Sequence, residues 1–251
     1  MSKRILEVCV DSVESALVAE RGGADRLELC SNLVIGGTTP SPTLFQEIRK
    51  YSRIPMRVLI RPRFGDFCYS EYEFAMIKAE IQQFRKLGAE AVVIGVLTPD
   101  GAVDVPRMHV LMQEAGAMEV TFHRAFDVCK EPLQAFDEIK KLGITTILTS
   151  GQKNSYVEGK ELLRELVERA GREVQIMPGG GVTPENLKEM APYIGAHAYH
   201  MSGKRIENSR MQYRKEGVSM GLPSMSEYEI WQTDEEKVRA AREVLDSYDK
   251  E

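Results

Sequence analysis

Two short segments, Glu7-Val8-Cys9-Val10-Asp11 and Glu28-Leu29-Cys30-Ser31-Asn32, repeat one pattern in which a carboxylate, a thiol and a further polar group occupy every second position. In a β-strand alternate side chains share a face, so each segment presents Glu-x-Cys-x-Asp/Asn on one side and aliphatic residues on the other. Burying such groups without partners costs several kcal/mol, which calls for cationic or hydrogen-bonding neighbours. Arg57, Arg61 and Arg63, at alternate positions of a third segment, are the candidates. A structural ion-pair layer of Glu7 and Glu28 with Arg57 or Arg61 explains the pattern as well as an acid–base pair does. The thiols are equally two-sided. They read as small buried core residues, or as soft ligands that bind one Cu(I) ion if Cys9 and Cys30 lie at the same height on adjacent strands. No spaced Cys/His quartet serves zinc. Asp11, with Glu14 three residues later, also reads as the capping box of the next helix.

Further along, Thr121-Phe122-His123-Arg124-Ala125-Phe126-Asp127 sends His123 and Asp127 the same way by alternation. Histidine supplies a general acid or base near neutral pH, with the aspartate orienting it or a substrate hydroxyl; hydrogen bonding to a barrel wall is the rival role. His200 and Ser202 share a face with Ala198. Gly179-Gly180-Gly181, followed by the N-cap Thr183, and Ser202-Gly203-Lys204 have the composition of a phosphate cradle, although tight turns also need glycine. Together these residues outline an enzyme acting on a small phosphorylated or carboxylated metabolite. Glu7, Glu28, His123 or Asp127 would be the acid or base, and Arg61, Arg63, the glycines, His200 and Ser202 the anion site.

The elements that must position them recur as a helix ending in Gly followed by a short apolar strand: Gly22-Gly23 before Arg26–Leu29, Gly88 before Ala91–Ile94, Gly143 before Thr145–Leu148, Gly171 before Val174–Met177, and Gly195 before Ala196–Met201. Adding Ile5–Val10, Met56–Ile60 and Glu119–Phe122 predicts eight strands, spaced by roughly twenty to thirty-five residues as β/α units require. The helices carry matching stripes, Phe74, Ile77, Ile81 and Phe84 in one and Leu133, Phe136, Ile139 and Leu142 in another. Thr183-Pro184-Glu185 and Thr233-Asp234-Glu235-Glu236 read as N-caps, the latter as a capping box. The expected fold is α/β, one (β/α)8 TIM barrel over residues 1–251. Residues 203–232, with little periodicity, form a long excursion after the eighth strand, either a lid or a surface loop.

A chain of 251 residues with a net charge of −5 and both signs interspersed offers no basic patch for nucleic acid or an anionic membrane. The opening Met-Ser-Lys-Arg and the lack of a long apolar run point to no signal peptide, no membrane span and a cytosolic protein with reduced cysteines. The motifs Leu6–Asp11, Gly23–Cys30, Gly36-Gly37-Thr38-Thr39-Pro40-Ser41, Arg61-Pro62-Arg63, Phe122–Asp127 and Leu148–Gly151, in that order, resemble the CutC family across about residues 4–203. The resemblance implies a cytosolic barrel that forms homo-oligomers and serves copper homeostasis by binding Cu(I). It carries over Glu7, Cys9, Glu28, Cys30, Arg61, Arg63, His123, Asp127, His200 and Ser202. This chain departs from the family's Glu-Phe/Ile-His-x-Ser at Ala198-Tyr199-His200-Met201-Ser202, which removes one carboxylate expected at the mouth.

Overall fold

In a computed structural model, described over residues 3–221 and 225–249, the eight short strands are β1 (Ile5–Val10), β2 (Arg26–Leu29), β3 (Met56–Leu59), β4 (Ala91–Ile94), β5 (Glu119–Phe122), β6 (Thr146–Thr149), β7 (Gln175–Pro178) and β8 (Ala198–Met201). They form one parallel sheet in the order β7-β6-β5-β4-β3-β2-β1-β8, and β7 and β8 lie side by side, so the sheet curls into a nearly closed (β/α)8 barrel. The helices are α1 (Val13–Arg21), α2 (Pro42–Tyr51), α3 (Glu71–Lys86), α4 (Val105–Ala115), α5 (Pro132–Lys141), α6 (Lys160–Ala170), α7 (Pro184–Ile194) and α8 (Glu235–Tyr248). Alternation places Leu6, Val8, Val10, Leu27 and Leu29 under the helices in the main core, which frees the intervening positions for the barrel interior. The stripe Phe74, Ile77, Ile81 and Phe84 of α3 is buried as expected. In α5 Phe136 and Ile139 are buried, with Leu133 and Leu142 at the margin.

Three expectations about connections are corrected. The cap of α1 is Ser12, whose hydroxyl accepts the Ser15 N–H at 3.1 Å, so Asp11 is free to turn toward the mouth. The cap of α8 is Asp234, which accepts from Glu236 and Lys237, because Thr233 still belongs to a strand. Full capping boxes are found instead at α3, between Ser70 and Glu73, and at α7, between Thr183 and Asn186. The excursion is neither a free loop nor a separate lid at its ends: β9 (Lys204–Asn208) and β10 (Glu229–Thr233) pair antiparallel. That hairpin is anchored where the Thr233 N–H donates to the Ser15 hydroxyl and the Asp234 N–H to the Gly203 carbonyl. Residues 222–224 of the excursion and Met1 and Ser2 of the opening lie outside the described residues.

Candidate functional site

Strand register sets the height of every inward side chain. Against β2, Glu7 stands opposite Arg26 and Cys9 opposite Glu28; against β8, Glu7 stands opposite His200; and Glu28 stands opposite Arg57 of β3. The two Glu-x-Cys motifs are therefore staggered by one inward position, as barrel shear requires. Cys9 and Cys30 are not register partners, although their side chains share one small buried cluster with Leu59 and Val93. Cys30 is fully buried, its thiol donates to the Val10 carbonyl at 3.4 Å, and it takes no part in lining the mouth. Burial, with Cys9, Glu28 and Asp11 nearby, pushes that thiol well above its ordinary pKa.

Beneath the mouth, Glu7 is the hub of a buried charge layer. Its carboxylate accepts from Arg26 Nε at 2.5 Å, lies 3.5 Å from Arg57 Nε and bonds His200 Nδ1 at 2.9 Å. Burial alone would raise the Glu7 carboxyl, but Arg26, His200 and Arg57 outweigh it and hold the group down at about 2. Arg57 continues to Thr121 and Glu119, and Arg26 to Gln175 and the Met177 sulfur. The ion-pair layer read from the sequence is thus present, built on Glu7 and completed by Arg26. Arg26 shares the parity of Glu28 and Cys30, so the alternation that singled those two out contained its signal.

Above this layer the inward atoms of Cys9, Glu28 and His200 lie within 4.8 Å of one another, all three residues buried. His200 Nε2 is 3.7 Å from Glu28 Oε2. Burial would lower the His200 imidazole, but Cys9, Glu28 and Glu7 around it raise it well above its ordinary value. Burial pushes Glu28 up to about 7, opposed by His200 and reinforced by the Glu7 charge. Gly179 makes room for this cluster, since a Cβ there would come 2.6 Å from Leu148 and 3.4 Å from the His200 Cβ.

The cluster floors a cavity of about 470 Å³ at the C-terminal mouth. Cys9, Asp11, Glu28, Arg61, His123, Asp127, Gly180, Gly181, His200 and Ser202 line it; Glu7, Gly179, Cys30 and Arg63 do not. Arg63 turns away to Glu73 and Asp66 and stacks on Tyr69, because the loop after β3 breaks the strand's alternation. Asp127 sits in a 3-10 turn rather than in β5 and accepts from Thr149, Ser150 and Arg124, a structural tie between neighbouring units. The base of the excursion adds Lys204, which lies 3.7 Å from the centre of the Trp231 ring, and β10 contributes Trp231 itself to the wall. Lys204 belongs to the Ser202-Gly203-Lys204 segment already picked out in the sequence, whereas nothing periodic marks Trp231 or Phe67, so sequence reasoning had no signal for those two. Ala198 packs with Leu148, Met177 and Ile5 below His200, which places the family's missing carboxylate under the floor rather than at the opening.

Comparison with known proteins agrees with this architecture. The CutC family matches residues 4–205. A human copper homeostasis protein cutC homolog is 44% identical over 241 residues, covering 96% of this chain and 88% of that protein. A family protein CutC from Parabacteroides distasonis is 45% identical over 243 residues, covering 95% and 99%. Among solved structures, the CutC protein of Streptococcus agalactiae superposes with a TM-score of 0.75 at 32% identity, covering 79% of this chain and 98% of that one. With a matched region that includes every residue of the floor cluster, the chain belongs to the CutC family, whose human and mouse relatives are named copper homeostasis protein cutC homologs.

Proposed function

We propose that the protein captures a single copper ion, as Cu(I), at the floor of the mouth, with Cys9 and His200 as its ligands. One arrangement carries this reading: Glu7 holds His200 Nδ1, which directs Nε2 toward Cys9 and Glu28. A carboxylate that fixes one imidazole nitrogen and leaves the other for metal is the usual support of a ligating histidine. A thiolate and an imidazole are soft and borderline donors suited to Cu(I). Glu28, with its carboxyl pushed up to about 7, is a weaker donor that borders the ion and takes up or releases a proton beside it. Capture displaces the proton from Nε2 and from the thiol, so affinity rises with pH. Cys30, sealed in the wall, supports packing rather than coordination.

The test is an anaerobic Cu(I) titration against a competing chelator. One ion per chain is expected, with affinity lost in Cys9→Ser, reduced by more than an order of magnitude in His200→Gln and unchanged in Cys30→Ser. Wild-type affinity in both Cys9→Ser and His200→Gln would end this reading. A second reading, proton transfer on a small anionic metabolite, draws on the position of Glu28 near neutrality inside a cavity. Its mark is exchange of a substrate C–H proton with solvent in chelator-treated protein, abolished in Glu28→Gln; exchange that persists in that variant removes Glu28 as the base.

A further inference from the structure

Above the floor, on the β3 and β5 side, two residues that line the cavity each hold a buried donor atom with no hydrogen-bond partner among the described residues. Arg61, 8% exposed, spends its terminal nitrogens on three loop carbonyls: Nη1 on Gly36 and Gly37 at 3.2 and 3.0 Å, and Nη2 on Gly65 at 2.8 Å. Its Nε is buried with no hydrogen-bond partner among the described residues, as is the hydroxyl of the neighbouring Tyr69. Carbonyls fix the guanidinium but do not neutralise it. The groups that perturb Arg61 include no carboxylate, and the neighbouring Tyr69 phenol, raised to about 12 chiefly by burial, stays neutral. Asp66 and Glu73 are taken by Arg63, and Asp127 by Arg124. The second donor is His123, 4% exposed. Its Nδ1 accepts the Ala125 N–H at 3.2 Å, which places the ring proton of the neutral imidazole on Nε2, and that nitrogen is buried without a partner. Burial and the Arg61 charge hold His123 at about 3, so it is a neutral donor at physiological pH. Phe67 links the two, 5.0 Å from the Arg61 guanidinium carbon and 4.7 Å from the His123 ring.

A buried guanidinium without a counter-ion and a buried N–H without an acceptor are each costly to leave unmet. The geometry points to a small organic carboxylate as the ligand of this side of the mouth, its carboxyl group held by Arg61 and the His123 Nε2–H. On the β3 and β5 side one uncompensated cation and one neutral donor match a monoanion. The cavity's other cations are Arg124, paired with Asp127, His200, held by Glu7, and Lys204, which follows β8 and sits over Trp231. The second charge of a phosphate dianion bound here would therefore have Arg61 alone to meet it. The body of the ligand lies along Phe67, Leu148 and Trp231. The inference does not depend on what the floor binds.

The probes are acetate, propionate and benzoate, with acetamide and inorganic phosphate as comparison, titrated calorimetrically into chelator-treated full-length protein. At least one carboxylate is expected to bind one per chain at millimolar concentration, while acetamide does not bind and phosphate binds more weakly. His123→Phe is expected to weaken binding by about tenfold or more, the worth of one hydrogen bond to a charged group. His123→Gln, which keeps a donor, restores much of it. Arg61→Gln should abolish binding, and if that variant fails to fold for want of its loop contacts the two His123 variants decide. Cys9→Ser should bind carboxylate like wild type while losing Cu(I), which separates this site from the metal reading. No carboxylate binding, unchanged affinity in His123→Phe, or tighter binding of phosphate overturns it.

Discussion

At the scale of single residues, what distinguishes this barrel is how differently it treats its buried ionisable groups. Glu7 is satisfied by three partners and remains a carboxylate, Glu28 is pushed toward neutrality beside it, and His123 stays uncharged because it is buried and the Arg61 cation sits nearby. The last of these has a measurable consequence. An unfolded chain titrates histidine near 6.5, whereas the folded chain holds His123 at about 3. Between those values the unfolded state binds the proton and the native state does not, so the contribution is intact above pH 6.5 and is lost as pH falls. The slope is about 1.4 kcal/mol per pH unit for the one group. His123→Gln should therefore flatten the fall of unfolding free energy between pH 6 and 4 relative to wild type, as read from urea denaturation at each pH. An identical pH dependence in the two proteins would show that His123 is protonated in the fold.

At the scale of elements, the site is made by strand register and by the short connections after β1, β3, β5 and β8. Ser12 rather than Asp11 caps α1, which leaves the Asp11 carboxylate for the cavity rim, where burial raises it. Ser12→Ala should cost about 1 kcal/mol of unfolding free energy, the usual worth of an N-cap. Asp11→Ala should leave the cap of α1 intact and cost clearly less; a larger loss from Asp11→Ala would reverse the assignment. Strand alternation was legible in the residues, which is why Glu7, Cys9, Glu28, Arg61, His123 and His200 could be picked out in advance. The slip between β1 and β2 was not, because register depends on how the whole barrel closes and leaves no local mark. Arg63 was misplaced for a related reason: alternation stops being informative once the chain leaves the strand.

At the scale of the whole molecule, the eighth unit ties the barrel together. α8 packs against α1, α7 and β1. Its Arg242 donates to Asp25 and the Arg4 carbonyl, while Arg4 pairs with Asp249, so the C-terminal helix is clasped to the first strand. Leu245, fully buried in that contact, should cost about 2–5 kcal/mol when replaced by alanine. A single cooperative transition shifted as a unit is expected in calorimetry, whereas an early partial transition would show that α8 melts separately. Among the described residues no helix is long and apolar enough to cross a membrane. Recurrence of Gly-terminated helices and short apolar strands determined the barrel from the sequence alone, since helix stops and hydrophobic period are local properties of the chain. Which thiol faces the cavity, which arginine carries an unmatched charge, and that the excursion folds back as a wall were decided only by tertiary structure. Each depends on atoms brought together from segments far apart in sequence, where burial and neighbouring charge set the chemistry.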